Sequence, residues 1–196
     1  MADPVSDAHQ QIAVRYPRTA SLRDGHRITL RLMVPGDEDQ ILAFAQSLPA
    51  DDLLFLRRDI TQPAAVARWM QEVEEQRTFT VLGFDGDELL GEGDLNYSSA
   101  DWTRHLGEIR LLLSPAARGR GLGRVLAEEI YAIAQLLELQ LLTARMVLDQ
   151  AAAQSVFRRL GFQREAVLWD YVIDADGKTH DLLIATRRMK SPRSGS

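Results

Sequence analysis

The sequence predicts a single α/β domain with a mixed sheet flanked by helices. Three observations carry that prediction. Segments with strand-period alternation are interleaved with segments of helical period along the chain. An apolar strand at 106–113 feeds a glycine-rich turn and then a long amphipathic helix, whose apolar face has to pack on a sheet. Two turn signals, Asp85-Gly86-Asp87 and Asp174-Ala175-Asp176-Gly177, each separate a pair of strand patterns, as hairpins do. A chain of 196 residues can bury a sizeable core without metal or disulfide support.

Residues 1–26 show no sustained periodicity, with at most a short strand over 12–16, and read as a partly ordered N-terminal arm. The domain spans 27–189, and the tail 190–196 (KSPRSGS) has a disordered composition. Residues 28–34 alternate as a strand, Pro35-Gly36 turns the chain, and Ile41, Leu42, Phe44 and Ala45 mark a helix over 37–48. A second helix starts near Asp51 and includes Leu53 to Leu56; a third starts at Pro63, which suits a first turn because its missing N–H costs nothing there. Strands at 79–84 and 89–97 form the first hairpin, with Gly91 and Gly93 marking a bulge.

After an irregular stretch at 98–103 come the strand at 106–113 and a helix over 121–137. Leu122, Val125, Leu126, Ile130, Ile133, Ala134 and Leu137 share one face of that helix. A strand at 141–148 follows, then a helix at 150–160 with Ala153, Val156, Phe157 and Leu160 inward and Gly161 at the left-handed C-terminal position. Strands at 165–173 and 179–186 close the chain. Trp69, Trp102 and Trp169 read as core or cavity wall.

A composition of 45% hydrophobic and 26% charged residues is that of an ordinary globular protein. The chain has no cysteine, which excludes a thiol nucleophile, a thiolate metal site and a disulfide framework and suits a reducing, cytoplasmic setting. His9, His26, His105 and His180 are scattered without ligand spacing, so no metal is expected; His105 lies nearest Glu108. Early acids and the lack of a long apolar run argue against a signal peptide or a membrane span. A net charge of -5 disfavours nucleic acid and anionic lipid as partners, although Arg118, Arg120 and Arg124 form a local basic patch.

That patch is interleaved with Gly119, Gly121 and Gly123 at a helix start. Backbone amides there have no intrahelical acceptor and the helix dipole adds positive potential, so the turn is an anion site. A Walker-type loop needs Gly-Lys-Ser/Thr, which is absent. A dinucleotide fingerprint needs a third glycine where Arg124 stands. What remains is Arg118-x-x-Gly121-x-Gly123, in which glycine lets the backbone approach a pyrophosphate closely and arginine offers charge-assisted bonds.

This motif, after a strand and before a long amphipathic helix, resembles the acyl-CoA motif of the GNAT superfamily of N-acetyltransferases. A second element, AQSVFRRLGF at 153–162, resembles the family helix that ends in Leu-Gly-Phe beside the CoA arm. The likeness runs roughly from Ile28 to Arg188 and is weakest before residue 80. It implies a GNAT-like fold with a twisted, mostly antiparallel sheet and splayed central strands, and acetyl-CoA as co-substrate. The CoA site it implies comprises Leu111, Leu112 and Leu113, whose backbone pairs with pantetheine, the turn residues Arg118, Gly119, Arg120, Gly121, Leu122, Gly123 and Arg124, and Gln150, Ala153 and Phe157. The 141–148 strand is implied to splay away and open a slot for the thioester. Edge strands in this superfamily also support homodimers.

Acetyl transfer needs a neutral amine, and neutralising a lysine-like amine of pKa about 10.4 at pH 7 costs roughly 4–5 kcal/mol. Glu108 is the candidate general base, because it starts the strand whose far end holds the cofactor; Asp94 is a second candidate. GEIRLLLSPAARGRGLGRVLAEEI looks like the acetyltransferase domain of bacterial protein-lysine acetyltransferases, which place a catalytic Glu at the corresponding strand position. ITLRLMVPGDEDQILAFAQSLPADDLLFLRRD is similar to their opening segment.

The chain departs from the common family pattern at Phe157, where many members carry a Tyr that protonates the leaving thiolate, and at Gln150, near where many carry Asn. A thiol of pKa about 8.5 leaves tolerably without full protonation. No G-x-S-x-G elbow is present, so the expected chemistry is direct attack in a ternary complex, on a protein lysine or a small amine. The acceptor is expected to meet the first helices and the 98–103 loop. The competing reading is a non-catalytic acyl-CoA sensor or docking module, which Phe157 keeps open.

Overall fold

The computed structural model describes residues 4–53, 56, 58–97, 100, 102–174 and 176–189, with side chains from residue 7 onward. Among them are strands β1 (Arg18–Ser21), β2 (Arg27–Leu32), β3 (Thr78–Asp85), β4 (Glu88–Tyr97), β5 (Leu106–Leu113), β6 (Leu141–Val147), β7 (Gln163–Ile173) and β8 (Thr179–Arg188). The helices are α1 (Pro4–Ala13), α2 (Glu38–Ser47), α3 (Ala50–Leu53), α4 (Pro63–Glu74), α5 (Leu122–Leu136) and α6 (Ala151–Arg159). The strands form one sheet in the order β1-β2-β3-β4-β5-β6-β8-β7. All neighbours are antiparallel except β5 and β6.

That exception opens the sheet. β5 and β6 pair only at Leu106↔Leu141, Gly107↔Leu142 and Glu108↔Thr143. Beyond this point β5 stays with β4 as far as Leu113↔Gly91, whereas β6 follows β8 as far as Val147↔Leu182. Each strand keeps its antiparallel partner, and the two diverge at Glu108.

Two cores cover the sheet. On one face α5 inserts Leu122, Leu126, Ile130 and Ile133, each fully buried and worth about 1.5–3 kcal/mol of apolar burial. The helix can sit this close because the sheet is glycine beneath it. A Cβ on Gly91 would lie 3.2 Å from Leu122 Cδ2, and one on Gly93 3.2 Å from Ile130 Cγ1. The bulge expected at these glycines falls at Leu90, between the pairs Gly83↔Gly91 and Phe84↔Leu89. On the other face Ile41, Phe44, Trp69 and Met70 of α2 and α4 cover Leu82, Phe84 and Leu112.

Residues 4–26 are not the partly ordered arm expected from the lack of periodicity. They carry α1, which runs into the 12–16 stretch read as at most a short strand, and β1, which pairs with β2. Tertiary contacts supply what local pattern does not: Ile12 is fully buried, and Arg15, Tyr16 and Arg18 all reach Glu129 of α5, at 3.2, 2.9 and 2.9 Å. The second helix is also shorter than expected, covering Ala50–Leu53 with Leu56 outside it; Leu54 and Phe55 lie outside the described residues. Trp69 is core, but Trp102 and Trp169 are 83% and 71% exposed, contrary to the expected burial. Trp169 belongs to a stretch of edge strand β7 that is unpaired with β8, between Leu168↔Leu182 and Val172↔His180. The expected tail at 190–196 lies outside the described residues, as do residues 98, 99 and 101 of the 98–103 loop.

Candidate active site

The site begins at the crown of α5. The chain leaves β5 through Ser114 and a short 3₁₀ turn, Pro115–Ala117, and reverses at Gly119 and Gly121 with φ of 74° and 97°. Gly121 has to be glycine on two counts: its left-handed backbone, and a Cβ that would meet Arg23 Cγ at 3.0 Å. The amides of Arg124 and Val125 are the first in α5 to find helical acceptors, both at the Gly121 carbonyl (3.1 and 3.2 Å). Those of 121–123 lie before the intrahelical ladder and crown the helix.

The turn is braced from outside. Arg23 N donates to the Arg120 carbonyl at 2.9 Å, and Arg120 Nε bonds Asp24 at 2.7 Å. Arg118 pairs with Asp52 of α3, and Arg124 with Glu128 at 2.7 Å. The three arginines of the basic patch are thus each held by a carboxylate on a different element. Arg23 and Asp24, which brace the loop, carry no signal in the sequence, because nothing local links them to residue 120.

The fork between β5 and β6 forms a slot of ≈ 210 Å³ lined on one side by Glu108, Arg110, Leu111 and Leu112, and on the other by Arg145, Met146, Gln150 and Leu182. Backbone alternation fixes what β5 offers to it. The Gly107 carbonyl points towards β6, where it accepts from Thr143 Oγ1 (3.3 Å), while the Ser114 amide points the other way, to the Leu90 carbonyl (2.8 Å). Successive residues alternate, so the backbone groups of Leu111 and Leu113 face the gap with no strand opposite them. Leu113 packs its side chain against Gly91 and Gly123, and Leu112 lies in the core under α4. Core side chains and open backbone edge coexist on the same residues.

Gln150 lines the slot and accepts a bond from the Val147 amide through Oε1 (3.3 Å). Ala153 and Phe157 do not line it. Phe157 is 6% exposed and packs edge-on against Phe162 with ring centroids 5.1 Å apart, because the period of α6 turns 153 and 157 into the core.

A second cavity, of ≈ 430 Å³, lies on the other side of the fork and is lined by Arg58, Glu72, Asn96, Tyr97, Thr143 and neighbouring residues. Among the described residues, Glu108 and Arg145 are the two that line both cavities. Glu108 is 8% exposed; Arg110 Nη2 stands 3.4 Å from one carboxylate oxygen and Arg145 Nε 4.0 Å from the other. Asp94 faces Arg110 in register, accepts from Asn96 Nδ2 at 2.5 Å, and lines neither cavity. It borders instead a third, smaller hollow with Glu92 and Trp69. His105 gives its backbone carbonyl to the amides of Gln140 and Leu141 and lines neither the slot nor the cleft. Among the described residues no group of three His, Cys, Asp or Glu side chains is placed to hold a metal, and no helix is long and apolar enough to cross a membrane.

The sheet is thus split beside a glycine-crowned helix, with the Glu108 carboxylate at the fork. Residues 27–163 match the acetyltransferase (GNAT) domain family, and the chain belongs to that family of acetyltransferase enzymes. Its fold superposes on that of the GNAT domain of S. lividans PAT with a TM-score of 0.74, at 17% identity over 89% of this chain and 98% of that one. It is likewise similar to a GNAT superfamily phosphinothricin acetyltransferase from Sinorhizobium meliloti in complex with AcCoA (TM-score 0.73, 20% identity, 85% and 94% covered). A third likeness is to ribosomal-protein-alanine N-acetyltransferase from Brucella melitensis (TM-score 0.72, 19% identity, 82% and 99% covered).

Proposed function

We propose that the chain transfers the acetyl group of acetyl-CoA to a primary amine, on a protein lysine or a small molecule, by direct attack within a ternary complex. The observation that carries this reading is that Glu108 walls both the slot and the neighbouring cleft. A thioester in the first and an amine in the second meet at that carboxylate. The AcCoA bound to the Sinorhizobium meliloti protein supports the assignment of the slot.

In this reading the crown amides of 121–123 and the backbone at Gly119 take the pyrophosphate, with Arg118, Arg120 and Arg124 around it. The open edge of Leu111 and Leu113 pairs with pantetheine as an added strand would, and Leu112 and Gln150 wall the slot. Leu122 anchors the crown from the core, while Ala153 and Phe157 hold α6 in place from behind. Glu108 accepts the proton that the amine sheds as the carbon–nitrogen bond forms. The cysteine-free composition supports a cytoplasmic setting.

An acetyl-transfer assay over a panel of small amines and lysine peptides, run beside calorimetry with CoA, tests the whole reading. Tight CoA binding without transfer to any acceptor would favour a sensor module instead. Glu108→Gln is expected to lower kcat by roughly 10²–10⁴-fold, the range for a positioned base, with CoA affinity retained. Unchanged turnover in that variant sinks the base assignment, and a comparable loss in Asp94→Asn alone would move the role to Asp94.

A further inference from the structure

Phe157 leaves the thiolate without the family's usual proton donor, and its ring, buried against Phe162, does not line the slot. The chain has four tyrosines. The Tyr16 hydroxyl donates to Glu129, and that of Tyr97 donates to the Gln76 carbonyl across the acceptor cleft. Tyr131 lies under the Arg187 guanidinium, 3.7 Å from its ring centroid, in a separate groove with Arg159 and Leu160. Tyr171 lines the slot.

Its placement there is built by the strand. In a regular strand consecutive side chains point to opposite faces, yet Tyr171 and Val172 both line the slot. Between Leu168↔Leu182 and Val172↔His180 strand β7 spends four steps against two on β8, a bulge of two residues. The bulge turns at Asp170, whose φ is 52°. Two bonds pin it: the Asp170 amide donates to Asp181 Oδ1 (3.0 Å) and Thr179 Oγ1 donates to Asp170 Oδ1 (2.5 Å). A non-glycine residue held at positive φ by two side-chain bonds on an edge strand is the kind of local feature that re-aims a neighbour. The Tyr171 hydroxyl makes no hydrogen bond to a described residue, and the residue is 62% exposed.

Resting on the acetyl-transfer reading above, the geometry points to Tyr171 as the acid that protonates the departing CoA sulfur. The other polar groups that line the slot among the described residues cannot serve. The arginines do not give up a proton and the Gln150 amide is no acid. Asp52 is engaged by Arg118 at the slot mouth, and Glu108 receives the amine proton. The step balances: the amine nitrogen bonds the carbonyl carbon and its proton passes to Glu108. The carbon–sulfur bond then breaks with its electron pair on sulfur, and the Tyr171 O–H proton passes to that sulfur. Water returns a proton to the phenolate, which the exposure of the residue allows, and Glu108 releases its own.

The test uses the full chain, acetyl-CoA and the best acceptor from the amine panel, with kcat, KM for acetyl-CoA and calorimetric CoA affinity read together. Tyr171→Phe removes one oxygen and keeps the ring. It is expected to lower kcat roughly ten- to hundred-fold, below or at the low end for acid catalysis because a thiol of pKa about 8.5 is a fair leaving group. KM and CoA affinity should stay within about twofold, and Tyr131→Phe should match the parent protein. A kcat within twofold of the parent overturns the assignment of Tyr171 and leaves the acetyl-transfer reading standing. A loss confined to KM or CoA affinity also overturns it, in favour of a binding contact. A parent protein that transfers acetyl to no acceptor overturns both.

Discussion

Two buried glutamates on opposite sides of the sheet are handled in opposite ways. Glu129 of α5 is 6% exposed and collects Arg15, Tyr16 and Arg18 from the N-terminal segment. Glu92 of β4 is 1% exposed, and neither carboxylate oxygen has a hydrogen-bond partner among the described residues. Burial raises the Glu92 carboxyl well above the ordinary glutamate range, the neighbouring Asp94 charge raises it further, and Arg110 and Arg58 only partly oppose them. A buried charge is tolerated where hydrogen-bonding partners surround it, and otherwise the group keeps its proton. On the α5 side a carboxylate therefore fastens a segment to the domain. On the α2–α4 side, two residues from Asp94 and one strand from Glu108, burial without partners favours the protonated acid.

The largest effect expected from breaking this contrast is in Glu129→Ala, which strands the Tyr16 hydroxyl and two guanidiniums. Removing one partner of a fully buried ion pair costs about 3–5 kcal/mol, and because Arg15 and Arg18 stay partly in water the loss here should be about 2–3 kcal/mol. Thermal melts should fall by roughly 5–12 °C for a domain of this size, with protease sensitivity appearing first in residues 4–21. A melt within about 1 °C of the parent would show that the N-terminal segment is held by Ile12 and the β1–β2 pairing alone.

Glu92→Gln should act more gently and in the opposite direction. An unfolded glutamate titrates near 4.3, so below that pH both states hold the proton and the substitution changes little. As pH rises the unfolded chain releases its proton while the folded chain keeps it, so the stability that the held proton carries is lost progressively up to the raised folded value. Glutamine has no proton to lose. The melting temperature of Glu92→Gln relative to the parent should therefore climb between pH 4 and pH 8, and a flat difference would mean Glu92 is ionised and partnered when folded.

Smallest of all should be Arg124→Ala. Its pair with Glu128 is an exposed i, i+4 contact worth about 0.3–0.5 kcal/mol, so stability should barely move while any change in CoA affinity reports on the crown.

How much of this could be read from the chain follows how far apart the partners are. The glycine turn, the long helix behind it and the strand before it lie within some thirty consecutive residues, and each announces itself by spacing. The fork was expected from family likeness, and its cause is visible in the pairing: β5 and β6 keep different antiparallel partners. The N-terminal helix and strand were misread because their fastening is to Glu129, more than a hundred positions away. The exposure of Trp169, read as core or cavity wall, was missed for a related reason, since a bulge is a mismatch between two strands and neither strand shows it alone.

By itself, then, the sequence determined the element order from residue 27 onward, the core faces of α5 and α6, and the glycine turn that crowns α5. These depend on φ preference, periodicity and helix-end chemistry, all properties of neighbouring residues. Only the tertiary structure decided that Glu108 stands at the junction of two cavities, that Phe157 is withdrawn from the slot, and that Tyr171 lines it. Those placements come from strand register and sheet divergence, which exist only once distant segments have paired.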